Sequence, residues 1–158
     1  MIKDWRVLAA TAFILLLAAC GQQTEAPGEG NNDVEEGVEE MDGWNLEVTA
    51  TNENDSLLVE MVLTNGTGEA QEVGFPSSQS YELVLTDEAE EEVYRFSEGK
   101  MFTMAIVSEE ISDGESFTYQ ESIPTSDLEP GPYTLLVEIV GKTQEQETLP
   151  STTIEVEI

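Results

Sequence analysis

The sequence contains no histidine, a single cysteine and only five lysine and arginine side chains among 158 residues. The lack of histidine excludes an imidazole general base, a Ser-His-Asp or Cys-His pair, and a histidine metal ligand. A lone cysteine excludes an intramolecular disulfide and a cysteine-based zinc site. A carboxylate pair or a serine-lysine couple would remain for catalysis, but Lys100 and Lys142 lie in stretches typical of turns and strand ends. We therefore expect a protein that is not an enzyme and that has no cofactor or metal.

The N-terminus contains an apolar run that is too short to cross a membrane permanently. The run from Val7 to Ala19 covers thirteen residues, whereas a membrane-spanning helix needs about 20. It follows Lys3 and Arg6, and a short basic region before an apolar segment is typical of a signal peptide. We predict a lipoprotein signal peptide at residues 1–19.

The four residues Leu17-Ala18-Ala19-Cys20 resemble the bacterial lipobox. This resemblance implies a diacylglyceryl group on the Cys20 thiol and cleavage of the chain before it. Two acyl chains hold a protein stably on a bilayer, as one chain does not. We therefore predict a lipid anchor at Cys20 that attaches the protein to the cell membrane, facing outside the cytoplasm. The alternative is an ordinary secretory signal in which the cysteine is incidental.

The chain is strongly acidic. Removal of residues 1–19 leaves 33 acidic and three basic side chains, a net charge of −30. Such a surface repels nucleic acids and anionic lipid headgroups. We therefore expect no nucleic-acid partner, and we expect contact with the membrane only through the lipid on Cys20.

A change of pattern near Trp44 divides the mature chain into two parts. Residues 21–43 contain eight acidic residues, five glycines and no aromatic residue, a composition typical of disorder. We predict an acidic, disordered tether at residues 20–43. From Trp44 onwards apolar and polar residues alternate with a period of two, and we predict one folded domain at residues 44–158.

The alternation predicts an all-β domain without a helix. The predicted strands cover residues 44–50, 57–63, 81–85, 93–97, 101–107, 117–119, 133–139 and 154–158. Turn signals recur about every ten residues, as in an immunoglobulin-like sandwich. We therefore predict an immunoglobulin-like antiparallel β-sandwich of eight or nine strands, large enough to form a core without disulfides.

Two stretches stand out as candidates for contact with a partner. Arg95 and Lys100 are two of the three cations that follow residue 19, and they lie between aromatic residues. The polar segment from Phe75 to Tyr81 is framed by two aromatic side chains. Either stretch could serve architecture, through ion pairs and a proline-fixed bend, or could serve recognition.

A set of ordered landmarks resembles the intracellular proteinase inhibitor (BsuPI) family over roughly residues 45 to 141. The landmarks are Phe75, Ser78-x-x-Tyr81, Asp87, the Val-Tyr-Arg-x-Ser run of 93 to 97, Gly99-Lys100-Met101-Phe102, Gly114-Glu115-Ser116 and Gly131-x-Tyr133. The resemblance implies an immunoglobulin-like sandwich. The member that gave the family its name inhibits a subtilisin-type serine protease, and many relatives are secreted lipoproteins of unknown role.

Two functions follow from these observations. The first is a membrane-anchored inhibitor of a subtilisin-like serine protease, with candidate reactive loops at residues 75–81, 97–102 and 125–132. The second is a non-inhibitory immunoglobulin-like module that binds another protein of the cell envelope. In either case we predict partner contacts at six residues: Phe75, Gln79, Tyr81, Arg95, Lys100 and Phe102.

Overall fold

The computed structural model describes residues 34–158. This part of the chain forms ten β-strands. They are β1 (Val34–Met41), β2 (Trp44–Glu53), β3 (Ser56–Asn65), β4 (Gln71–Phe75), β5 (Tyr81–Thr86), β6 (Glu92–Arg95), β7 (Val107–Ile111), β8 (Ser116–Pro124), β9 (Pro132–Ile139) and β10 (Ser151–Glu157). Over the same residues, no helix is long and apolar enough to span a bilayer.

The strands form two four-stranded sheets and one two-stranded ribbon, and every pairing is antiparallel. One sheet has the order β1-β2-β3-β8, the other has the order β10-β9-β5-β6, and the ribbon pairs β4 with β7. Without β1 and the ribbon, these orders correspond to the A-B-E and G-F-C-C′ strands of immunoglobulin domains. The predicted all-β, immunoglobulin-like sandwich is confirmed, with ten strands among the described residues where eight or nine were predicted.

The core lies between the two sheets because each contributes one apolar face. In β2, the inward-facing side chains Trp44, Leu46 and Val48 are buried, whereas the residues between them are more exposed. β3 continues this face, with Met61 directly opposite Val48. From the other sheet, Leu135 and its neighbours on β9 join the same buried cluster. The alternation of apolar and polar residues therefore predicts a strand correctly wherever one face of that strand is buried.

A tyrosine braces one end of β9. The Tyr133 hydroxyl donates a 2.7 Å hydrogen bond to the carbonyl oxygen of Glu129, four residues upstream. This arrangement is the tyrosine corner of immunoglobulin-like sandwiches, and it fixes the turn that leads into the strand. Leu128, in the same turn, packs against the core. The candidate reactive loop at residues 125–132 therefore has its one large apolar side chain directed inward.

The prediction of a disordered tether is wrong for residues 34–43. β1 lies within this segment and pairs with β2 along its whole length. The two strands are joined by Asp42 and Gly43, which both have positive φ angles of 49° and 85°. An Asp-Gly pair in this conformation favours a tight hairpin. Residues 20–33, the remainder of the predicted tether, lie outside the described residues, as do the predicted signal peptide and Cys20.

A glycine explains how β1 reaches the opposite sheet. A Cβ atom on Gly37 would lie 2.3 Å from the Cγ2 atom of Ile154 in β10, well inside van der Waals contact. Because residue 37 has no side chain, β1 can approach β10 and close one side of the sandwich. The apolar residues Val34 and Val38 on its other face are exposed, which is why their spacing gave no sign of a buried strand.

The prediction of a strand at residues 101–107 is also wrong. Residues 101–106 form a loop, and only Val107 belongs to a strand, the first residue of β7. This loop carries the chain from the edge of one sheet to the β4–β7 ribbon. β4, which lies outside all the predicted strands, supplies the partner of β7.

Candidate functional site

Two neighbouring loops form the candidate site. The crossover loop (residues 96–106) joins β6 to β7, and the 76–80 loop joins β4 to β5. The crossover loop starts at Phe96, and the 76–80 loop ends next to Tyr81. The centroids of these two rings lie 4.5 Å apart. The structure thus brings together the two stretches that the sequence marks as candidates.

Aromatic side chains form the base of the crossover loop. Phe96 is buried at the start of the loop, and the ring of Phe102 folds back to within 6.1 Å of it between centroids. Tyr119 of β8 continues the cluster, 5.4 Å from Tyr81 between centroids. Tilted rings at these distances stabilise one another beyond simple burial. The loop is therefore attached to the core through its first residue and again through Phe102.

Lys100 lies at the centre of this base. Its ammonium is 3.3 Å from the centroid of the Phe96 ring and 3.6 Å from the Oε1 atom of Glu121 in β8. The other carboxylate oxygen of Glu121 accepts a 2.8 Å hydrogen bond from the Tyr81 hydroxyl. One carboxylate on the opposite sheet therefore connects both candidate stretches, and Lys100 serves the architecture of the loop.

The tyrosines of this base resist ionisation. Burial, with the hydrogen bond to Glu121 and the negative charge of that residue, raises the pKa of Tyr81 well above its ordinary value of 10.0. Burial, with the charge of Glu109, raises the pKa of Tyr119 to about 12. Both hydroxyls consequently remain protonated under all but strongly alkaline conditions.

Arg95 and Gln79 support the same region through Glu82. The Arg95 guanidinium forms a bidentate pair with Glu92, and its Nη1 atom lies 4.0 Å from the Glu82 carboxylate. The hydrogen bond from Arg95 lowers the pKa of Glu92. Gln79 donates from Nε2 to Glu82 and to the Tyr81 carbonyl, and the Ser97 amide also donates to Glu82, at 3.0 Å. Glu82 thereby fixes the first turn of the crossover loop.

A reciprocal pair of hydrogen bonds joins the two loops to each other. The Ser78 amide donates to the Thr103 carbonyl, and the Thr103 amide donates to the Ser78 hydroxyl, both at 3.0 Å. Thr103 is therefore fixed in the middle of the crossover loop, although no strand runs through it. In contrast, the large apolar side chains around it point into solvent: Met101 is 99% exposed, Met104 89% and Ile106 81%.

The predicted site residues divide into three groups. Gln79, Tyr81, Lys100 and Phe102 belong to the base of the two loops, with Arg95 at its edge. Phe75 is a core residue that is only 1% exposed, so the structure removes it from the candidate contacts. Cys20 lies outside the described residues.

Sequence reasoning missed the residues that the loop exposes. Met101, Met104 and Ile106 had been included in a predicted strand, because apolar residues close together are typical of strands. Glu121 was missed because its partners are 21 and 40 positions away in the chain, and no local pattern reports such a contact. The only available signal was the presence of several large apolar residues beside a Glu-Gly-Lys turn.

A serine and a lysine lie close together at the start of the crossover loop. Ser97 and Lys100 have the Ser-x-x-Lys spacing, but they lie in a turn closed by a hydrogen bond from the Lys100 amide to the Ser97 carbonyl. The Lys100 ammonium contacts the Glu121 carboxylate and the face of the Phe96 ring. Among residues 34–158, no three acidic side chains are grouped closely enough to hold a metal ion.

Comparison with known proteins identifies the family of the chain. No curated protein matches the sequence. The family model described as intracellular proteinase inhibitor (BsuPI) matches residues 44–144, a range that contains the two loops, their aromatic base and Glu121. This match covers more than half of the 158 residues, and the chain belongs to the intracellular proteinase inhibitor (BsuPI) family.

Proposed function

We propose that this protein is a membrane-anchored inhibitor of a subtilisin-like serine protease outside the cytoplasm. The observation that carries the proposal is the crossover loop, which presents three exposed apolar side chains from a firmly held base. A protease cleft binds such side chains when the loop is offered in an extended form. Membership of a proteinase inhibitor family supports the same function.

Pre-organisation is the physical reason why this loop suits an inhibitor. A flexible loop loses conformational entropy when it binds, and this loss weakens the complex. Here Phe102 is fixed against Phe96, and Thr103 is fixed by Ser78. Most of the ordering has therefore taken place before the protease arrives, without a disulfide.

The lipid anchor belongs to this proposal. Cys20 lies at the end of a lipobox-like sequence, and the acidic residues that follow it would carry the sandwich away from the anionic membrane surface. A substitution of Cys20 by Ser should abolish incorporation of radioactive palmitate. Palmitate labelling that persists in the Cys20→Ser variant would contradict the anchor.

A titration tests the inhibitory function. The mature chain, residues 20–158 with Cys20→Ser, is added to subtilisin while hydrolysis of a small chromogenic peptide is followed. We expect the rate to fall with submicromolar protein. Full protease activity in the presence of micromolar intact protein would contradict the proposal.

One observation favours a second function, that of a docking module without inhibitory activity. The outer face of the β1-β2-β3-β8 sheet presents Val34, Val38 and Leu58, all exposed. Thr51 of β2 lies opposite Val34 of β1 and opposite Leu58 of β3, so that the three residues form a row across three strands. A partly apolar sheet face of this kind can bind another protein of the envelope. Under this alternative, substitutions on the outer face would impair function, and substitutions in the crossover loop would not.

A further inference from the structure

We infer that Met104 is the residue that enters the specificity pocket of the protease, with the Met104–Ala105 peptide bond placed at the catalytic serine. This inference rests on the proposed inhibitory function and names the reactive bond within it. Three features of the crossover loop support the assignment: the bonding of Thr103, the direction of the chain before Met101, and the attachment of the chain at Val107.

The hydrogen bonds of Thr103 leave the backbone groups of Phe102 and Met104 available to a protease. In an extended chain, the N–H and C=O groups of successive residues point to opposite sides. Both groups of Thr103 are bonded to Ser78, so the groups of Phe102 and Met104 are directed away from the protein. Within the described part of the chain, neither residue has a backbone hydrogen-bond partner. A protease that pairs with an extended substrate can therefore bind the outer side of this segment.

The path of the chain distinguishes Met104 from Met101, which is equally exposed. Residues 97–100 form a turn with Gly99 at a positive φ of 72°, so the chain before Met101 is bent back on itself. Residues 101–104 contain no turn or bend. A substrate must be extended for several residues before the reactive bond. Met104 follows such a stretch, whereas Met101 follows the turn and Ile106 follows a bend of the chain at Ala105.

Met101 then has a supporting role. It lies three residues before Met104, about 10 Å along an extended chain. Phe102, between them, packs against Phe96 and is not available to a partner. The loop therefore fits a serine protease whose cleft has two apolar pockets about 10 Å apart.

The attachment on the other side of Met104 explains how a substrate-like loop could inhibit. Hydrolysis of the Met104–Ala105 bond adds one water molecule across it, giving a carboxylate on Met104 and an amine on Ala105. Thr103 would still be bonded to Ser78, and Val107 would still be paired with Phe75. The two new ends would remain close together, so the cleaved protein would leave the protease slowly.

Substitutions of exposed residues test the assignment without disturbing the fold. Met104→Lys should weaken inhibition of subtilisin roughly 100-fold, the effect of losing a central contact residue, and Met101→Lys about tenfold. Met104→Leu should remain within a few-fold of the parent. Val38→Lys, on the outer sheet face, is the matched control and should have no effect. All four variants should keep the thermal unfolding temperature of the parent, because the substituted side chains are exposed.

A gain of function gives the second readout. Met104→Lys should convert the protein into an inhibitor of trypsin, whose pocket contains an aspartate. Mass spectrometry of the parent after prolonged incubation with subtilisin should show one cleavage, between Met104 and Ala105. If the parent inhibits but Met104→Lys inhibits subtilisin equally well, the assignment of Met104 is wrong and the proposed function stands. If the parent does not inhibit at all, both are wrong.

Discussion

The ammonium of Lys100 lies 3.3 Å from the centre of the Phe96 ring, directly over the base of the crossover loop. After residue 19 the chain has only three cationic side chains, and this one is held by an aromatic face and by Glu121. A cation on an aromatic face contributes about 0.5–1 kcal/mol at a partly exposed site. The scarce positive charge is used to fix a loop.

Replacement of Lys100 should loosen the loop more than the domain. Lys100→Gln removes the contacts with Phe96 and Glu121, and we expect the free energy of unfolding to fall by about 1 kcal/mol. Amide hydrogen exchange should accelerate in residues 96–106 and remain unchanged in β9. Lys142→Gln is the matched control, because Lys142 is also exposed and the substitution keeps the backbone groups through which it bonds to Gly74. Equal exchange rates in the two variants would contradict this role.

Replacement of Ser78 should make the protein a better substrate and a weaker inhibitor. Ser78→Ala removes the hydroxyl that accepts the Thr103 amide, but it keeps the amide that donates to the Thr103 carbonyl. Loss of one hydrogen bond costs about 1 kcal/mol, so we expect inhibition to weaken about fivefold. Cleavage of the loop, followed by gel electrophoresis, should be faster by a similar factor. Ser108→Ala, in the adjacent strand β7, should have no effect on either rate.

Asn65 should be essential for stability. It is fully buried. Its side-chain Nδ2 atom donates to the backbone carbonyls of Glu69 and Ile111. Its side-chain Oδ1 atom accepts from the backbone amide and from the hydroxyl of Thr67. Asn65→Ala removes these four hydrogen bonds, although the Thr67 hydroxyl can still donate to the Glu69 carbonyl, and we expect a loss of about 3 kcal/mol in urea unfolding. Asn45→Ala is the control, because the Asn45 side-chain amide bonds to the exposed Glu47 carboxylate. A loss below 1 kcal/mol in the Asn65 variant would show that water replaces the network.

Alkaline pH should destabilise the protein through its tyrosines. The pKa of Tyr81 and that of Tyr119 are raised in the folded state above the ordinary value of 10.0. The unfolded chain therefore loses these protons first, and stability that is fully present below pH 10 is lost as the pH rises through the folded values. For Tyr119 this loss extends to about pH 12. Urea midpoints at pH 9, 10 and 11 should decline, and the decline should be shallower in Tyr119→Phe. Equal slopes in the two proteins would contradict the pKa of Tyr119.

The sequence predicts those strands whose apolar residues face the core. β2, β3 and β9 were predicted because buried and exposed residues alternate along them. β1 was missed for the opposite reason: its valines face solvent, and Gly37 faces the core. The sequence predicts a strand at residues 101–107 because apolar residues close together are typical of strands, whereas here Met101, Met104 and Ile106 are exposed in a loop.

The candidate site could be predicted only in part. Tyr81, Lys100 and Phe102 were identified from local features, namely aromatic residues and rare cations in short stretches. The connection of Tyr81 to Lys100 through Glu121 depends on the pairing of strands that are distant in the chain, which a single sequence does not report. The same limit applies to Thr103 and Ser78, because either residue taken alone is an ordinary loop residue.

Hydrogen–deuterium exchange on the complex of the mature Cys20→Ser chain with subtilisin tests the inhibitory role of the crossover loop. We expect a stable complex in which protection from exchange increases in the crossover loop, centred on residues 102–106, and not on the outer face around Val38 and Leu58. Absence of a complex, or new protection on that outer face with the crossover loop unchanged, would contradict this role.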